Sequence, residues 1–169
     1  MLAEAGLIDA ATLPSYGADG SPLEMSTMEG HVPGVEMTGG SLGHGLGIAT
    51  GAALGYRLDG HQSAIHVELS DGELQEGSTW EAATAAASFG LDRLVAWIDC
   101  NGIQADGPMV VNIEPVAGRF AAFGWAVREI DGNDLAQLLE ALAWARLCEG
   151  KPKALSLIHI SEPTRLLSI

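Results

Sequence analysis

The stretch Ser63-Ala64-Ile65-His66-Val67-Glu68-Leu69, running directly into Ser70-Asp71-Gly72-Glu73, decides how this chain folds. Ile65, Val67 and Leu69 recur at every second position, the period of a strand with one buried face. Ser70 to Gly77 is polar and acidic and reads as a loop. Ser78 then reads as a helix N-cap, with Glu81 as its capping-box partner, and the helix runs to about Phe89 and stops at Gly90. Leu94 to Asp99 is apolar nearly throughout, as a strand buried on both faces should be. Asn101-Gly102 signals a turn. Pro115 to Phe123 reads as a short helix, Trp125 to Ile130 as a third strand and Leu135 to Cys148 as an amphipathic helix. Upstream, Leu13 to Pro33 reads as a long loop. Gly39, Gly40, Gly43, Gly45 and Gly47 crowd one short run. A helix with Ile48, Ala52 and Leu54 buried should follow and end at Asp59-Gly60. Alternating strands and helices predict an α/β domain with a mostly parallel sheet flanked by helices.

The 169 residues suffice for one domain with a sizeable core. A formal net charge of −14 argues against a nucleic-acid binder and against an anionic membrane surface. Solubility is the plain reading of that charge. Cys100 and Cys148 lack metal-ligand spacing and read as packed thiols, which fits a reducing cytoplasm. No run reaches the roughly 18 apolar residues of a spanning helix, and no signal-peptide pattern opens the chain.

In parallel sheets ligands gather at the carboxyl ends of the strands. That places the loops after Leu69 and after Asp99 side by side. Asp71 presents a carboxylate at the first tip, Asn101 a side-chain oxygen at the second, and Ile103 a peptide carbonyl just beyond. Between Gly72 and Asn101 lie 28 residues, enough for the loop, helix and strand of one crossover. Carboxylate, amide and carbonyl are hard oxygen donors, and with two diphosphate oxygens and a water they complete the octahedron that Mg²⁺ demands. The glycine-rich turn Thr38 to Gly45 offers backbone N–H groups at a helix start, where a diphosphate can approach. Each feature has a plainer reading: a turn that packs a helix on a sheet, an Asp that caps a turn, an ordinary Asn-Gly turn. Only their coincidence favours a metal-diphosphate site.

The run Ser70-Asp-Gly-Glu-Leu-Gln-Glu-Gly-Ser-Thr-Trp-Glu-Ala82 resembles the transketolase family, most closely the N-terminal subunit of split transketolases. So do Pro33-Gly-Val-Glu36, Gly40-Ser-Leu-Gly-His-Gly45, Asn101 to Gly107, Phe123-Gly-Trp125 and Asp131-Gly132. The resemblance implies the thiamine-diphosphate-binding fold, with Asp71, Asn101 and the Ile103 carbonyl on Mg²⁺. It implies that Gly40, Leu42, Gly72 and Asn101 bind the cofactor. Glu76 matches a glutamate of a carboxylate network at the subunit interface, although on bottom-up grounds it is an exposed loop acid. Glu73 reads as solvent-facing.

There are departures from the family pattern. Ser70 replaces the first Gly of the Gly-Asp-Gly motif, and Cys100 stands where relatives often carry a second Asn. Met25-Ser26-Thr27 falls where a Gly-His-Pro is common. His31 is near that position but offset, and His44 follows the glycine-rich turn; neither is assigned a role. His61 and His66 read as surface and strand residues.

The activity implied is ketol transfer between sugar phosphates in the pentose phosphate pathway (a transferase of EC 2.2.1.-) by a cytoplasmic heteromer. Nothing after Asp131 resembles a pyrimidine-binding domain. A C-terminal transketolase subunit is therefore expected as partner, in a heterotetramer, and this chain alone should be inactive. Alternatives are a fragment of a 1-deoxyxylulose-5-phosphate synthase or of a 2-oxo-acid dehydrogenase E1, a nucleotide-binding Rossmann-like module, or a non-catalytic scaffold. The Rossmann reading suffers because the glycines precede the first strong strand instead of following it.

Both ends depart from a self-contained domain. Met1 to Gly6 reads as the end of a helix whose start lies upstream. Leu155 to Arg165 resembles the in-frame translation of a sequencing adapter. The domain is thus expected to span 1–154, truncated at both ends, with 155–169 a non-native tail. The plainer reading of Lys153 to Ile160 is a native strand, since its apolar–polar alternation favours pairing.

Overall fold

The structure is a computed structural model that describes residues 2–104 and 107–158. It divides into two compact units, 1–41 and 42–169, and the boundary falls inside the glycine-rich run.

The first unit is built mainly of turns. Its one helical element among the described residues is a 3-10 segment, Ala10–Ser15, where Asp9 accepts from Ala11 N as N-cap. The predicted loop from Leu13 thus begins inside this short helix. At the far end of the unit Gly39 N donates to the Thr27 carbonyl (2.9 Å), and Glu29 N donates to Thr38 Oγ1 (3.2 Å).

The second unit is the α/β body. In chain order it contains α1 (Gly45–Leu58), β1 (Ile65–Ser70), a 3-10 turn (Gly72–Gln75), α2 (Gly77–Ser88), β2 (Leu94–Cys100), a hairpin of β3 (Ile103–Gln104) and β4 (Gly107–Pro108), α3 (Val116–Ala122), β5 (Ala126–Asp131), α4 (Leu135–Leu147) and β6 (Lys153–Ile158). Four strands form one parallel sheet in the order β1-β2-β6-β5. The predicted architecture is therefore present. The hairpin was not foreseen, because two-residue strands carry no periodicity.

Burial on β2 explains why its sequence is apolar from Leu94 to Ile98. Leu94, Ala96 and Ile98 point into a core shared with α1, α2 and α3, which includes Leu46, Ala83, Phe120 and Trp125. Val95, on the opposite face, packs with Ile130, Ala141, Ala145 and Leu155. Period two on a sheet covered on both sides makes every position apolar. β6 lies between β2 and β5, and Leu155 on it is fully buried. A strand here is what the alternation dictates whatever the origin of residues 155–158; residues 159–169 of the expected tail lie outside the described residues.

Two local expectations change, and α4 shows which of its faces is packed. The buried face of α1 carries Leu46, Ala49, Thr50 and Ala53, whereas Ile48 is exposed. α2 begins at Gly77 with Glu76 as N-cap, and the Ser78 hydroxyl leaves the helix to donate to the Gly43 carbonyl (2.8 Å). α4 presents its small residues inward, with Ala141 and Ala145 buried and Leu135, Leu139 and Leu147 exposed. Close approach to the sheet selects alanine here.

Trp125 ties α2 to the core: its buried Nε1 donates to the Ala83 carbonyl (2.9 Å) while its ring meets Phe120 edge-on at 5.2 Å. Trp125→Phe keeps most of the ring area but loses that bond. It should lower unfolding free energy by about 1–2 kcal/mol, read from urea denaturation.

Candidate active site

The tips of β1 and β2 are joined. Ser70 pairs with Asp99 in the parallel register, and Asp71 N donates to the Asp99 carbonyl (3.0 Å). Asp71 is buried, with 4% of its surface exposed. One carboxylate oxygen accepts from Gly72 N (2.8 Å), and the other crosses to the next strand tip and accepts from Gly102 N (2.6 Å). Burial pushes the Asp71 carboxyl above its ordinary value; the Gly102 and Gly72 N–H groups pull it down, and the Asp99 and Glu114 carboxylates push it up. A cation beside it would relieve both the burial and the like-charge repulsion.

Asn101 is oriented from two sides. Its Nδ2 donates to Asp99 Oδ2 (3.0 Å), and its Oδ1 accepts from Ile103 N (2.8 Å), closing an Asx turn around Gly102 at φ +72°. Ile103 pairs with Pro108 across the hairpin. Met109 N donates to the Gly102 carbonyl (3.2 Å), so Ile103 and Pro108 form the alternate, non-hydrogen-bonded pair of the ladder and the Ile103 carbonyl points away from β4. Gln104 fixes the hairpin, its Oε1 accepting from Gln75 Nε2 (2.8 Å) and Val110 N (3.3 Å).

These three predicted donors therefore come from adjoining strand tips. Among the described residues no group of three or more His, Cys, Asp or Glu stands ready for a metal. One carboxylate, one amide and one carbonyl are a donor set of a different kind, suited to Mg²⁺. The residues present fit such an ion.

The other predicted residues are divided between the two units. Gly72 follows Asp71, and a Cβ there would meet Gln104 Cβ at 3.4 Å, an ordinary van der Waals contact. Leu42 is 58% exposed, directly before the turn into α1. Glu76 is exposed at the start of α2 and makes no side-chain capping bond. Gly40 belongs to the first unit; at φ +116° its missing Cβ would lie 2.8 Å from Ser26 Oγ. His44, at the start of α1, makes no capping bond, and His31 Nδ1 lies 3.1 Å from Glu24 Oε1 in the first unit. His66 accepts from Trp97 Nε1 (3.0 Å) and His61 packs on Tyr56. Cys100 and Cys148 are free thiols; burial pushes the Cys100 thiol up to about 11, with Sγ 3.3 Å from Ser156 Oγ.

Glu73 is not solvent-facing. It is buried, and its Oε1 accepts from Gly43 N (2.9 Å). The Gly43 N–H is thus committed to a carboxylate and is not offered to an anion, which removes it from the expected diphosphate cradle. Sequence reasoning also missed Asp99, which orients Asn101; the Asp-x-Asn spacing at the end of a strand was its only signal.

Comparison with known proteins agrees with this architecture. Residues 24–162 match the family profile described as transketolase, thiamine diphosphate binding domain. A transketolase family protein, y4mO, of Sinorhizobium fredii is 52% identical over 147 residues, covering 86% of this chain and 53% of that protein. An apulose-4-phosphate transketolase subunit of Actinobacillus succinogenes is 40% identical over 143 residues, covering 83% of this chain and 52% of that protein. The transketolase structure from Leishmania mexicana superposes with a TM-score of 0.78 at 31% identity, covering 87% of this chain and 24% of that one. The chain spans about half the length of the curated relatives it matches.

Proposed function

Because this chain belongs to the transketolase family, in its thiamine-diphosphate-binding domain, we propose that it is the N-terminal subunit of a split transketolase and holds the cofactor's diphosphate through Mg²⁺. The observation that carries this reading is the bond from Gly102 N to the Asp71 carboxylate, which joins two parallel strand tips around a hard-oxygen donor set. Asp71, the Asn101 amide oxygen and the Ile103 carbonyl hold the ion. Gly40, Leu42 and Gly72 line the cofactor, and Asn101 serves both.

Bound thiamine diphosphate supplies a carbon nucleophile for transferring a two-carbon ketol unit between sugar phosphates, chemistry that no side chain offers. The chain's part is to bind and orient. The buried Asp71 carboxylate sets the charge that attracts the ion, and Asp99 keeps the Asn101 amide from rotating. Glu76, exposed at the start of α2, is assigned to a carboxylate network against a partner protein. That partner is a C-terminal transketolase subunit with the pyrimidine-binding domain, and the assembly is a cytoplasmic heterotetramer. The Actinobacillus relative is itself named as one subunit of its transketolase, which supports a division of the enzyme between chains. Among the described residues no helix is long and apolar enough to cross a membrane. The functional reading rests on residues 1–154, with 155–169 read as non-native sequence.

The test is a titration of thiamine diphosphate into the purified chain, with Mg²⁺ or with EDTA, followed by a ketol-transfer assay with and without the C-terminal partner. Saturable binding that requires Mg²⁺, no transfer by the chain alone, and transfer on adding the partner are expected. Transfer by the chain alone would remove the need for a partner, and binding that survives EDTA would remove the metal.

A further inference from the structure

Gly43 is held through both its N–H and its carbonyl by the segment that follows Asp71. Its N–H donates to Glu73 Oε1 (2.9 Å), and its carbonyl accepts from Ser78 Oγ (2.8 Å). Glu73 is itself fixed: its N–H donates to Ser70 Oγ (3.1 Å), and its carbonyl accepts from Glu76 N (3.0 Å). Only 8% of its surface is exposed. A carboxylate buried to this degree is costly unless something answers its charge. The start of α1 is that something. α1 has no acidic residue in its first turn, and its N-cap His44 makes no side-chain bond. A Cβ on Gly45, the first residue of α1, would stand 3.6 Å from Glu73 Oε1. Glu73 therefore supplies from a distant loop the negative group that a helix N-terminus favours.

We infer that Glu73 is a positioning residue for cofactor binding: its buried carboxylate clamps the Gly43 peptide and so fixes the adjoining Leu42, the exposed residue assigned to the cofactor. This rests on the reading of the site as a thiamine-diphosphate site. It also links the two halves of that site within the second unit. The acidic loop that carries Asp71 and Gly72 sets the shape of the turn that carries Leu42, so both halves are positioned together. An acceptor is needed at this place, and an amide oxygen provides one at the same reach. A shorter or missing side chain does not.

Three variants of the full chain test this: Glu73→Ala, Glu73→Asp and Glu73→Gln. Two readouts apply, Gly43 amide hydrogen exchange without cofactor, and the Kd for thiamine diphosphate with Mg²⁺ from tryptophan fluorescence. The expected result is faster Gly43 exchange in Glu73→Ala and Glu73→Asp with Kd weakened about tenfold or more, while Glu73→Gln stays within about threefold of the parent. Circular dichroism and cooperative melting establish that each variant is folded; if Glu73→Ala is not, Glu73→Asp and Glu73→Gln decide. Exchange that speeds up with no change in Kd would reduce Glu73 to a structural role and overturn the inference. So would a Glu73→Gln variant as weak as Glu73→Ala. No binding by the parent chain up to millimolar cofactor would instead overturn the site reading and this inference with it, and the exchange data would still report whether the clamp exists.

Discussion

Asp71→Ala should abolish Mg²⁺-dependent binding of thiamine diphosphate, with Kd rising by at least about a hundredfold. Asp71 is the one carboxylate among the three donors assigned to the ion; the other two are an amide and a peptide carbonyl. Removing it leaves the ion with neutral protein ligands only, so the cation that answers the diphosphate's charge is held much more weakly. The effect on the fold should be smaller. The Asp71 carboxylate accepts the Gly72 and Gly102 N–H groups, and both sit at the strand tips, where water can reach them once the carboxylate is gone. Asp71→Asn separates charge from volume: it keeps the size and one acceptor oxygen but should lose nearly as much affinity as the alanine variant. Asn101→Ala should cost less, about tenfold, because a water can take the place of an amide oxygen on Mg²⁺. Isothermal titration with thiamine diphosphate at saturating Mg²⁺ gives all three values, and circular dichroism reports the fold. An Asp71→Ala chain that binds within about threefold of the parent would remove the metal from this position and with it the functional reading.

The parts of this protein that obey a local period are legible in the amino-acid sequence alone. β1 and β2 follow from Ile65, Val67 and Leu69 and from the apolar run beginning at Leu94. Their adjacency follows from the length of one crossover. That adjacency is enough to bring Asp71 and Asn101 to one place, as the bond from Gly102 N to Asp71 demonstrates. What could not be read depended on partners far away in sequence. Ser78 and Glu81 form a valid capping pattern, yet the Ser78 hydroxyl bonds the Gly43 carbonyl 35 residues away and the helix starts earlier. Glu73 sits in an acidic loop, where composition predicts exposure; it is buried because the Gly43 N–H and the start of α1 answer its charge. The inward face of α4 carries Ala141 and Ala145 because the helix packs closely on the sheet, a tertiary fact that an amphipathic pattern leaves open. The β3–β4 hairpin is too short to leave a pattern. In all but the hairpin a long-range contact overrode or completed a local signal, and most of these contacts gather around the site.

Gly43→Ala should be the most damaging small substitution in the second unit. Gly43 has φ +78°, where an L-residue costs roughly 1–2 kcal/mol more than glycine. A Cβ there would also lie 2.5 Å from Ser78 Oγ and 2.6 Å from Glu76 Cβ. The Ser78 hydroxyl can rotate away by giving up its bond to the Gly43 carbonyl. Glu76 Cβ cannot, because it is attached to the backbone at the N-cap of α2. The turn and α2 must then separate, which adds roughly 1–3 kcal/mol of overpacking. Together these make about 2–5 kcal/mol, a fall in Tm on the order of 5–15 °C for a chain of this size. Gly55→Ala is the control, since Gly55 lies inside α1 with nothing within 4 Å of an added Cβ; it should raise stability by about 0.5–1 kcal/mol. Relieving only the hydroxyl clash, in Gly43→Ala with Ser78→Gly, should recover a minor part of the loss because Glu76 Cβ stays in place. Differential scanning calorimetry on the cofactor-free chain measures all of these. A Gly43→Ala chain melting within about 2 °C of the parent would mean that the turn and α2 are not packed as described, and a clamp running through Glu73 and Ser78 would have nothing to hold.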